Sequence, residues 1–347
     1  MSLRAAAGQA GGTLALLVGA FLLCALFVVA SGKDPVAALT VLLGYTLGTA
    51  NGFLEVVVRS IPLMLAGLGV VIAFRANTYN VGADGQVIVG AIVAVAATRG
   101  FEAPGWIALP FFLGAALAGG AAYGGIVGWL KARYNASEII VTIMLNYIAV
   151  QLLAWVTRGP LQEQMHIFPR SDAIPGGALL GILIPGSRVH WGLVIAIAAT
   201  LVVYAVMRFS SFGFQVKAVG ENRAAARYGG IDDRLMIVLV MALSGGLAGL
   251  AGGVEIAGVF GRLEDNFAPG VGVTAIAVAL LARLNPLMVP VTALLFGVLA
   301  VGTGAIQRQL GIPFPLVWII EGVVILTFLL IGHLRARRLA AAPETGT

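Results

Sequence analysis

A cluster of amide and carboxylate side chains falls in the stretch FRANTYNVGADGQVIVG, residues 74–90, between apolar segments. Its candidate groups are Asn77, Asn80, Asp84 and Gln86. A weakly polar lining of this kind suits a neutral, ring-bearing solute better than a highly charged one. Gly82 and Gly85 permit a turn, and Asp84 can cap the helix that follows. We interpret the stretch as a broken helix beside a permeation pathway; the alternative is an ordinary loop between two spans.

Two further amides extend this cluster. Asn146 lies inside the apolar run NASEIIVTIMLNYIA, on one helical face with Thr142 and Ala149. An asparagine at membrane depth needs a partner or water, so it serves either as an interhelical hydrogen bond or as pathway lining. Asn285 follows Arg283 at the same spacing at which Asn77 follows Arg75, each pair directly after a short apolar run. Interrupted segments at corresponding places in two halves point to a transport site, and chance similarity is the alternative.

The sequence lacks the residue patterns of metal binding, hydrolysis and nucleotide binding. Cys24 is the only cysteine, and His166, His190 and His333 are scattered, so neither a metal site nor a hydrolytic triad is predicted. The phosphate-binding pattern G-x-x-x-x-G-K-[ST] is missing, since Gly32-Lys33 is followed by aspartate. We therefore predict no enzyme activity and no cofactor, and any ATP that drives the protein must be hydrolysed by another chain.

The composition identifies a membrane protein. Of 347 residues, 60% are hydrophobic and 10% are charged, which is too apolar for a soluble surface. Apolar runs continue from end to end, so we predict one all-α, multi-pass domain over 1–347. The formal charge of +6 is assigned to loops on the cytoplasmic side and not to nucleic acid. We expect both termini on that side and the first apolar run retained as a helix.

Ten spans satisfy hydropathy and the charge rule: 13–31, 60–75, 84–98, 105–130, 138–157, 190–208, 235–260, 270–283, 286–306 and 315–332. Three of them (60–75, 84–98 and 270–283) are short, so the count becomes eight if they are half-helices. The segment 34–58 contains three glycines, Asn51 and Glu55, and we expect it to lie along the surface.

Two connections are long enough to interact with other proteins. The outer one, 158–189, is rich in proline, glycine and mixed charge and suits a docking surface or a lid. The inner one, 209–234, contains AVGENRAAARYGGI, in which Gly220 precedes a short helix over 221–228 that Gly229 and Gly230 end. Such a helix can fit a groove on another protein; the alternative is a solvated basic loop.

Structural roles account for two other patterns. Glu138, with Asn135 or Ser137 before it, resembles a capping box at a helix start. Gly245, Gly249 and Gly253 form a stripe of small residues that lets helix backbones approach closely.

The stretches NVGADGQ, ASEIIVTIMLNYIA, AVGENRAAARYGGI and GVTAIAVALLARLNPL, in this order, resemble permease subunits of bacterial ABC importers of the branched-chain amino acid, ribose and nucleoside group. The similarity covers nearly the whole chain, and the second and third stretches look most like the nucleoside branch. Where the related pattern NIGAEGQ has glutamate, this chain has Asp84, so the carboxylate is retained.

The resemblance implies a bacterial inner-membrane assembly. Its partners are a cytoplasmic ABC ATPase, a second permease that is often a different chain, and an extracytoplasmic substrate-binding lipoprotein. By position, the residues that inherit coupling to the ATPase are Gly220, Glu221, Asn222, Ala225, Arg227 and Gly229. The segment departs from the older E-A-A...G importer signature in its arginines and double glycine.

Import of nucleosides is the function that these observations favour. The alternatives within the family are ribose or another simple sugar, and branched-chain amino acids. A rival class is a secondary transporter that uses Asp84 or Glu255 as an ion site, which the coupling-like loop disfavours.

Overall fold

The computed structural model describes residues 19, 22–101, 103–265 and 267–311, together with 319, 322–323, 326–327 and 330. Within these residues the chain is mainly helical, and its β-pairing is limited to three isolated β-bridges. The all-α prediction is therefore confirmed. The chain divides into two compact units, one formed by Met1–Val56 with Val298–Thr347 and the other by Val57–Gly297.

Most of the described helices follow one another with short connections, and the longest connection joins α6 to α7. They are α1 (Leu22–Ala30), α2 (Pro35–Thr46), α3 (Ala50–Arg75), α4 (Ala83–Thr98), α5 (Gly105–Tyr134), α6 (Glu138–Arg158), α7 (Gly192–Phe209), α8 (Ser211–Glu221), α9 (Arg223–Tyr228), α10 (Asp233–Glu255), α11 (Val271–Leu281) and α12 (Val289–Leu310). A π-helix, Ile256–Phe260, continues α10, and short 3₁₀ turns occur at Gly176–Ala178 and Pro286–Met288.

Six helices in the described part of the chain are long and apolar enough to cross a membrane. They are Ala50–Arg75, Gly105–Tyr134, Glu138–Arg158, Gly192–Phe209, Asp233–Phe260 and Pro286–Leu310. A bent pair, α1 with α2, would make a seventh, and α4 and α11 are shorter apolar helices, as expected for 84–98 and 270–283. Most of the predicted span 315–332, most of 13–31 before residue 22, and both chain ends lie outside the described residues.

The prediction that 34–58 lies along the surface is wrong for residues 50–58, and the predicted short span 60–75 is part of a longer helix. Residues 35–46 form α2, which Asp34 caps by accepting a hydrogen bond from the Val36 N–H at 2.9 Å. Residues 50–75 form one continuous helix of 26 residues, with Pro62 inside it. Glu55 lies in the second turn of α3, so a single carboxylate close to the helix end does not exclude the segment from a spanning helix.

In the unit Met1–Val56 with Val298–Thr347, the chain reverses sharply between α1 and α2, which are bent by 111°. Val28, Ala38 and Ile306 form its small buried cluster, and Cys24 and Leu42 pack against it. The packing is apolar throughout this cluster, so it serves stability.

In the unit Val57–Gly297, the short helix α4 lies at the centre. Most of its residues are buried, and it contacts α5, α6, α10 and α11. A helix that is apolar all round is expected in such a position, because no face of it needs water or lipid. Burying α4 places its polar amino end, the NVGADGQ stretch, inside the protein.

The glycine stripe of α10 lies against α5, as predicted. A methyl group built on Gly249 would lie 2.4 Å from the Ala116 carbonyl oxygen, and one on Gly245 would lie 2.3 Å from the Gly120 carbonyl oxygen. The two backbones therefore touch, and side chains larger than hydrogen do not fit between them.

We expect Gly249→Ala to destabilise the protein, because overpacking of a tight contact costs about 1–3 kcal/mol. The matched control is Gly246→Ala on the same helix, whose new methyl would meet its nearest neighbour at an ordinary 3.4 Å. Thermal unfolding of the purified protein in detergent measures both. Equal melting temperatures for the two variants would contradict the close α5–α10 contact.

The capping-box prediction at the start of α6 was wrong. Asn135 ends α5 in a left-handed conformation (φ 53°), and its N–H donates to the Lys131 carbonyl. Ser137 is the residue before α6, but its side chain makes no capping bond. Glu138 is buried and forms an ion pair with Lys131, which binds the end of α5 to the start of α6. A structural role for Glu138 fits this geometry.

Candidate functional site

A buried amide pair organises the NVGADGQ stretch. Asn80 and Gln86 exchange hydrogen bonds, with Asn80 Nδ2 donating to Gln86 Oε1 at 2.8 Å and Gln86 Nε2 donating to Asn80 Oδ1 at 3.1 Å. Asn80 also donates to Ser244 Oγ on α10 at 2.8 Å and accepts from the Gly82 N–H at 3.0 Å. Asn80 is fully buried. These bonds satisfy the Asn80 side chain and the Gly82 N–H inside the protein, as buried polar groups at membrane depth require.

Two more predicted residues secure the amino end of α4. Asp84 accepts a hydrogen bond of 2.6 Å from the Gly272 N–H in the first turn of α11. Asn146 on α6 accepts from the Gly85 N–H at 2.9 Å and donates to the Val81 carbonyl at 3.0 Å. The structure thus brings four of the six candidates, Asn80, Asp84, Gln86 and Asn146, to one place, where residues from α6, α10 and α11 meet.

The face of α6 predicted from the sequence contacts this stretch. Methyl groups built on Gly82 and Gly85 would lie within about 3 Å of Thr142 and Asn146 respectively, so backbone and helix are in direct contact. Asn146 therefore makes the interhelical hydrogen bond that one alternative predicted, and its place in a pathway lining stays a prediction. Sequence reasoning missed two partners of these residues, Ser244 and Gly272. We call the side chains of Asn80, Gln86, Ser244, Asp84 and Asn146 the polar network.

The other two candidates, Asn77 and Asn285, are exposed in turns. Asn77 follows α3 with φ 52°, and Asn285 caps the 3₁₀ turn by accepting from the Leu287 N–H at 3.1 Å. These are the two turns whose sequences echo each other, and they lie side by side, because Arg75 Nε donates to the Leu284 carbonyl at 2.8 Å. A cavity of about 820 Å³ opens beside them, lined in part by Arg75, Arg283 and Asn285.

The expected coupling segment forms two helices. Asn222 separates α8 from α9 and caps α9 by accepting from the Ala225 N–H at 3.1 Å. Gly229 and Gly230 (φ 82°) end α9, as predicted. The helix was expected to begin at Glu221, directly after Gly220, but both residues belong to the end of α8, and that expectation was wrong. Gly220 lies where a methyl group would be 2.0 Å from the Arg75 carbonyl oxygen, so α8 packs directly on the end of α3.

The short helix α9 is held by its neighbours and exposed elsewhere. Arg227 makes a two-pronged ion pair with Asp233, with Nη2 2.8 Å from Oδ1 and 2.9 Å from Oδ2. Ala226 is on the buried face of α9, whereas Ala225 and Tyr228 are exposed. Bidentate arginine pairs fix orientation as well as charge. The exposed face of α9 is therefore presented in a defined direction.

The outer connection is ordered by its own polar contacts. Glu163 accepts from Arg170 Nε at 2.7 Å, and this hydrogen bond holds the pKa of the Glu163 carboxyl below its usual range. Ser171 bonds twice to Leu263, and Leu180 donates to the Ala257 carbonyl, so the segment rests on the end of α10. Whether it is a docking surface or a lid stays a prediction.

His190 is a buried group that sequence reasoning left unassigned. Its Nδ1 accepts from the Gly192 N–H at 3.1 Å, and its Nε2 has no hydrogen-bond partner among the described residues. The ring packs on Gly258 of the π-helix, where a methyl group would lie about 2.4 Å from it. Burial, together with the charge of Arg188, lowers the pKa of His190 to about 4. The imidazole is therefore neutral near pH 7.

We expect stability to fall as the pH falls from about 6.5 towards 4. Over that interval the unfolded histidine binds a proton and the folded one does not, so protonation favours unfolding. His190→Asn should flatten the dependence of the melting temperature on pH, and His166→Asn, at an exposed histidine, should leave it steep. The explanation fails if wild type and His190→Asn keep the same slope.

The chain matches a model of the family described as branched-chain amino acid transport system / permease component over residues 52–331. It is 39% identical to the glucose ABC transporter permease protein TsgB13 of Haloferax volcanii, over 90% of this chain and 83% of that protein. It is 35% identical to the guanosine ABC transporter permease protein NupP of Bacillus subtilis, over 78% and 79%. It is 30% identical to the nucleoside ABC transporter permease protein NupB of Lactococcus lactis subsp. cremoris, over 89% and 87%.

Proposed function

The chain belongs to the family of branched-chain amino acid transport system permease components and is an ABC transporter permease subunit, and from this premise we propose that it imports nucleosides. The observation that carries the proposal is its 35% and 30% identity to permeases named for guanosine and nucleosides. Such a subunit is a multi-pass membrane component without a catalytic site of its own.

The pathway is proposed to run beside the interrupted helix at the start of α4. The polar network keeps this broken segment rigid, and the exposed amides Asn77 and Asn285 supply hydrogen-bonding groups to a neutral solute. Asn80, Asp84, Gln86 and Asn146 make their described hydrogen bonds within the protein, so their part in transport is to position the wall. These bonds support the positioning role.

Coupling is proposed to pass through the segment from Gly220 to Gly229. The exposed side of α9 would bind in a cleft of the ATPase, with Ala225 at the centre of the contact. Arg227 fixes the helix through its ion pair with Asp233. Because Gly220 packs on the end of α3, a push on α8 and α9 is transmitted to the turn at residues 75–77. Closure of the ATPase pair would then switch the pathway between two states.

The proposed assembly contains a cytoplasmic ABC ATPase, a second permease and a substrate-binding lipoprotein. Similarity of this chain to both NupP and NupQ of Bacillus subtilis, two permeases named for guanosine, supports a partner permease that is a different chain. The binding protein sets most of the selectivity, since the spans offer few fixed charges.

Glucose import is the second candidate. It is favoured by the 39% identity to a permease named for glucose, which exceeds the identity to NupP and NupB. Both candidate solutes are neutral and rich in hydroxyl groups, so the amides of this chain do not separate them. Ribose and branched-chain amino acids remain as further family alternatives.

Uptake of labelled guanosine and labelled glucose, by cells that lack the gene and by cells in which it is restored, tests the proposal. We expect guanosine uptake to return with the gene and to be inhibited by excess adenosine but not by glucose, ribose or leucine. Glucose uptake that returns with the gene, with guanosine uptake unchanged, would replace the nucleoside proposal with the second candidate.

A further inference from the structure

The cavity beside the two echoing turns is lined by an unusual number of cations. Besides Arg75 and Arg283 its wall contains Arg208 and Lys217, and among the described residues Glu221 is its only acid. We call this cavity of about 820 Å³ the basic hollow. Its other lining residues include the apolar and aromatic side chains of Phe74, Tyr204, Met207, Phe214 and Leu284, together with the polar Ser210 and Asn285. The lining thus combines positively charged side chains with apolar ones.

The charge of the basic hollow is largely uncompensated. Within the described residues, Arg208 and Arg283 make no side-chain hydrogen bond or ion pair. Lys217 Nζ lies 3.7 Å from Glu221 Oε1, and both side chains are more than 70% exposed, so that pair is weak. Arg75 uses Nε on the Leu284 carbonyl. Several donors therefore remain available to an anion.

The position of the hollow defines its surroundings. Arg75 ends the candidate span α3, and Arg208 lies in the last turn of the candidate span α7. Cations at helix carboxyl ends complement the helix dipole, which alone accounts for Arg75 and Arg208. Arg283, which follows the cap at the carboxyl end of α11, is favoured in the same way, whereas Lys217 lies outside the last turn of α8 and is not. Since spans end where hydrocarbon gives way to headgroups, the hollow lies at headgroup depth.

We propose that the basic hollow binds an anionic phospholipid, with the phosphate held by Arg208 and Arg283 and the acyl chains along Phe214 and Met207. Basic pockets between spanning helices on the cytoplasmic side are suited to such headgroups. Phe214 is 69% exposed, which is unfavourable facing water and favourable facing an acyl chain. The cytoplasmic placement rests on the proposed function, whereas the binding chemistry rests on the lining itself.

This site touches the coupling segment. Gly220 and Glu221, at the end of α8, line the hollow together with Arg75 and Asn285. A lipid seated there contacts both the segment assigned to the ATPase and the turns assigned to the pathway. Bound anionic lipid would therefore brace α8 against the end of α3.

The test is native mass spectrometry of the purified full complex in detergent, titrated separately with phosphatidylglycerol and with phosphatidylethanolamine of the same acyl chains. We expect Arg208→Gln/Arg283→Gln to lower phosphatidylglycerol binding at least about tenfold, since each basic group near a membrane surface adds appreciably to anionic-lipid affinity. The matched control is Arg133→Gln/Arg234→Gln, which removes the same charge from a separate concavity and should leave binding unchanged. Arg208→Lys/Arg283→Lys should also retain binding, and separates loss of charge from misfolding.

Three outcomes would overturn the proposal. The first is unchanged phosphatidylglycerol binding in a folded Gln variant, or equal binding of both lipids by wild type. The second is displacement of the lipid by an equal concentration of inorganic phosphate, which would identify a site for free anions. The third is loss of the ATPase from the Gln variant with lipid binding intact, which would identify a protein interface. No nucleoside enters this assay, so its failure and the failure of the transport proposal are distinguishable.

Discussion

Asn80→Leu is expected to reduce guanosine uptake at least about tenfold, because it leaves buried polar partners unbonded at a cost of about 1–3 kcal/mol each. The substitution keeps the size of the side chain but removes its bonds to Gln86 and to Ser244. Gln86 would then have a carboxamide buried without a partner, and the Gly82 N–H would lose its acceptor. The interrupted segment would no longer be tied to α10.

Uptake per molecule of permease, measured with the protein amount in the membrane, tests this expectation. Asn135→Gly is the control: it removes an exposed amide from a left-handed position (φ 53°) that glycine adopts freely. Ser244→Ala should have a smaller effect than Asn80→Leu, since it removes one partner and not the centre. Full uptake by Asn80→Leu at normal abundance would show that the network is dispensable.

Ala225→Glu is expected to abolish transport, lowering uptake at least about thirtyfold, as the loss of one central interface residue can. Ala225 is exposed on α9, between the buried Ala226 and the cap residue Asn222. A larger, charged side chain there would point away from this chain and into the proposed ATPase cleft. The helix itself should survive, because the Ala225 N–H keeps its bond to Asn222.

Co-purification of the ATPase subunit separates this explanation from misfolding. We expect the Glu variant to lose the ATPase while retaining a wild-type melting temperature in detergent. Ala225→Ser adds a hydroxyl without bulk and should retain both the ATPase and uptake. If the Glu variant kept the ATPase and transported normally, α9 could not be the coupling element.

Local signals in the sequence predicted the elements that depend on neighbouring residues. The double glycine at 229–230 ends α9 as expected, because positive φ after a helix favours glycine. The stripe at Gly245 and Gly249 predicted a close helix contact, and the structure shows α5 as the partner. A sequence pattern of small residues specifies the contact but not which helix fills it.

The sequence-based predictions were wrong or incomplete where contacts between distant parts of the chain determine the structure. Nothing near Asn80 indicates Ser244, which is 164 residues away. Polar residues in 50–58 suggested surface, whereas they form the first turns of a helix of 26 residues. Gly220 looked like a helix start because glycine commonly breaks helices, yet its missing side chain admits the backbone of Arg75.

The similar sequences at residues 75–77 and 283–285 also show that a local pattern does not predict a tertiary contact. The sequence similarity alone left chance as an alternative, and the structure places the two turns in contact through the Arg75–Leu284 hydrogen bond. Their shared position on one cavity supports treating them as a related pair. Their role in transport is part of the proposal.

The most direct test of the account is accumulation of labelled guanosine by liposomes that contain this chain, its partner permease and the ATPase, supplied with the binding protein and ATP on the appropriate sides. The account predicts accumulation above the outside concentration that requires ATP and the ATPase, is unaffected by collapsing proton and sodium gradients, and is lost with Ala225→Glu. Accumulation without the ATPase, driven by an ion gradient, would contradict it, as would ATP-driven accumulation of glucose with none of guanosine.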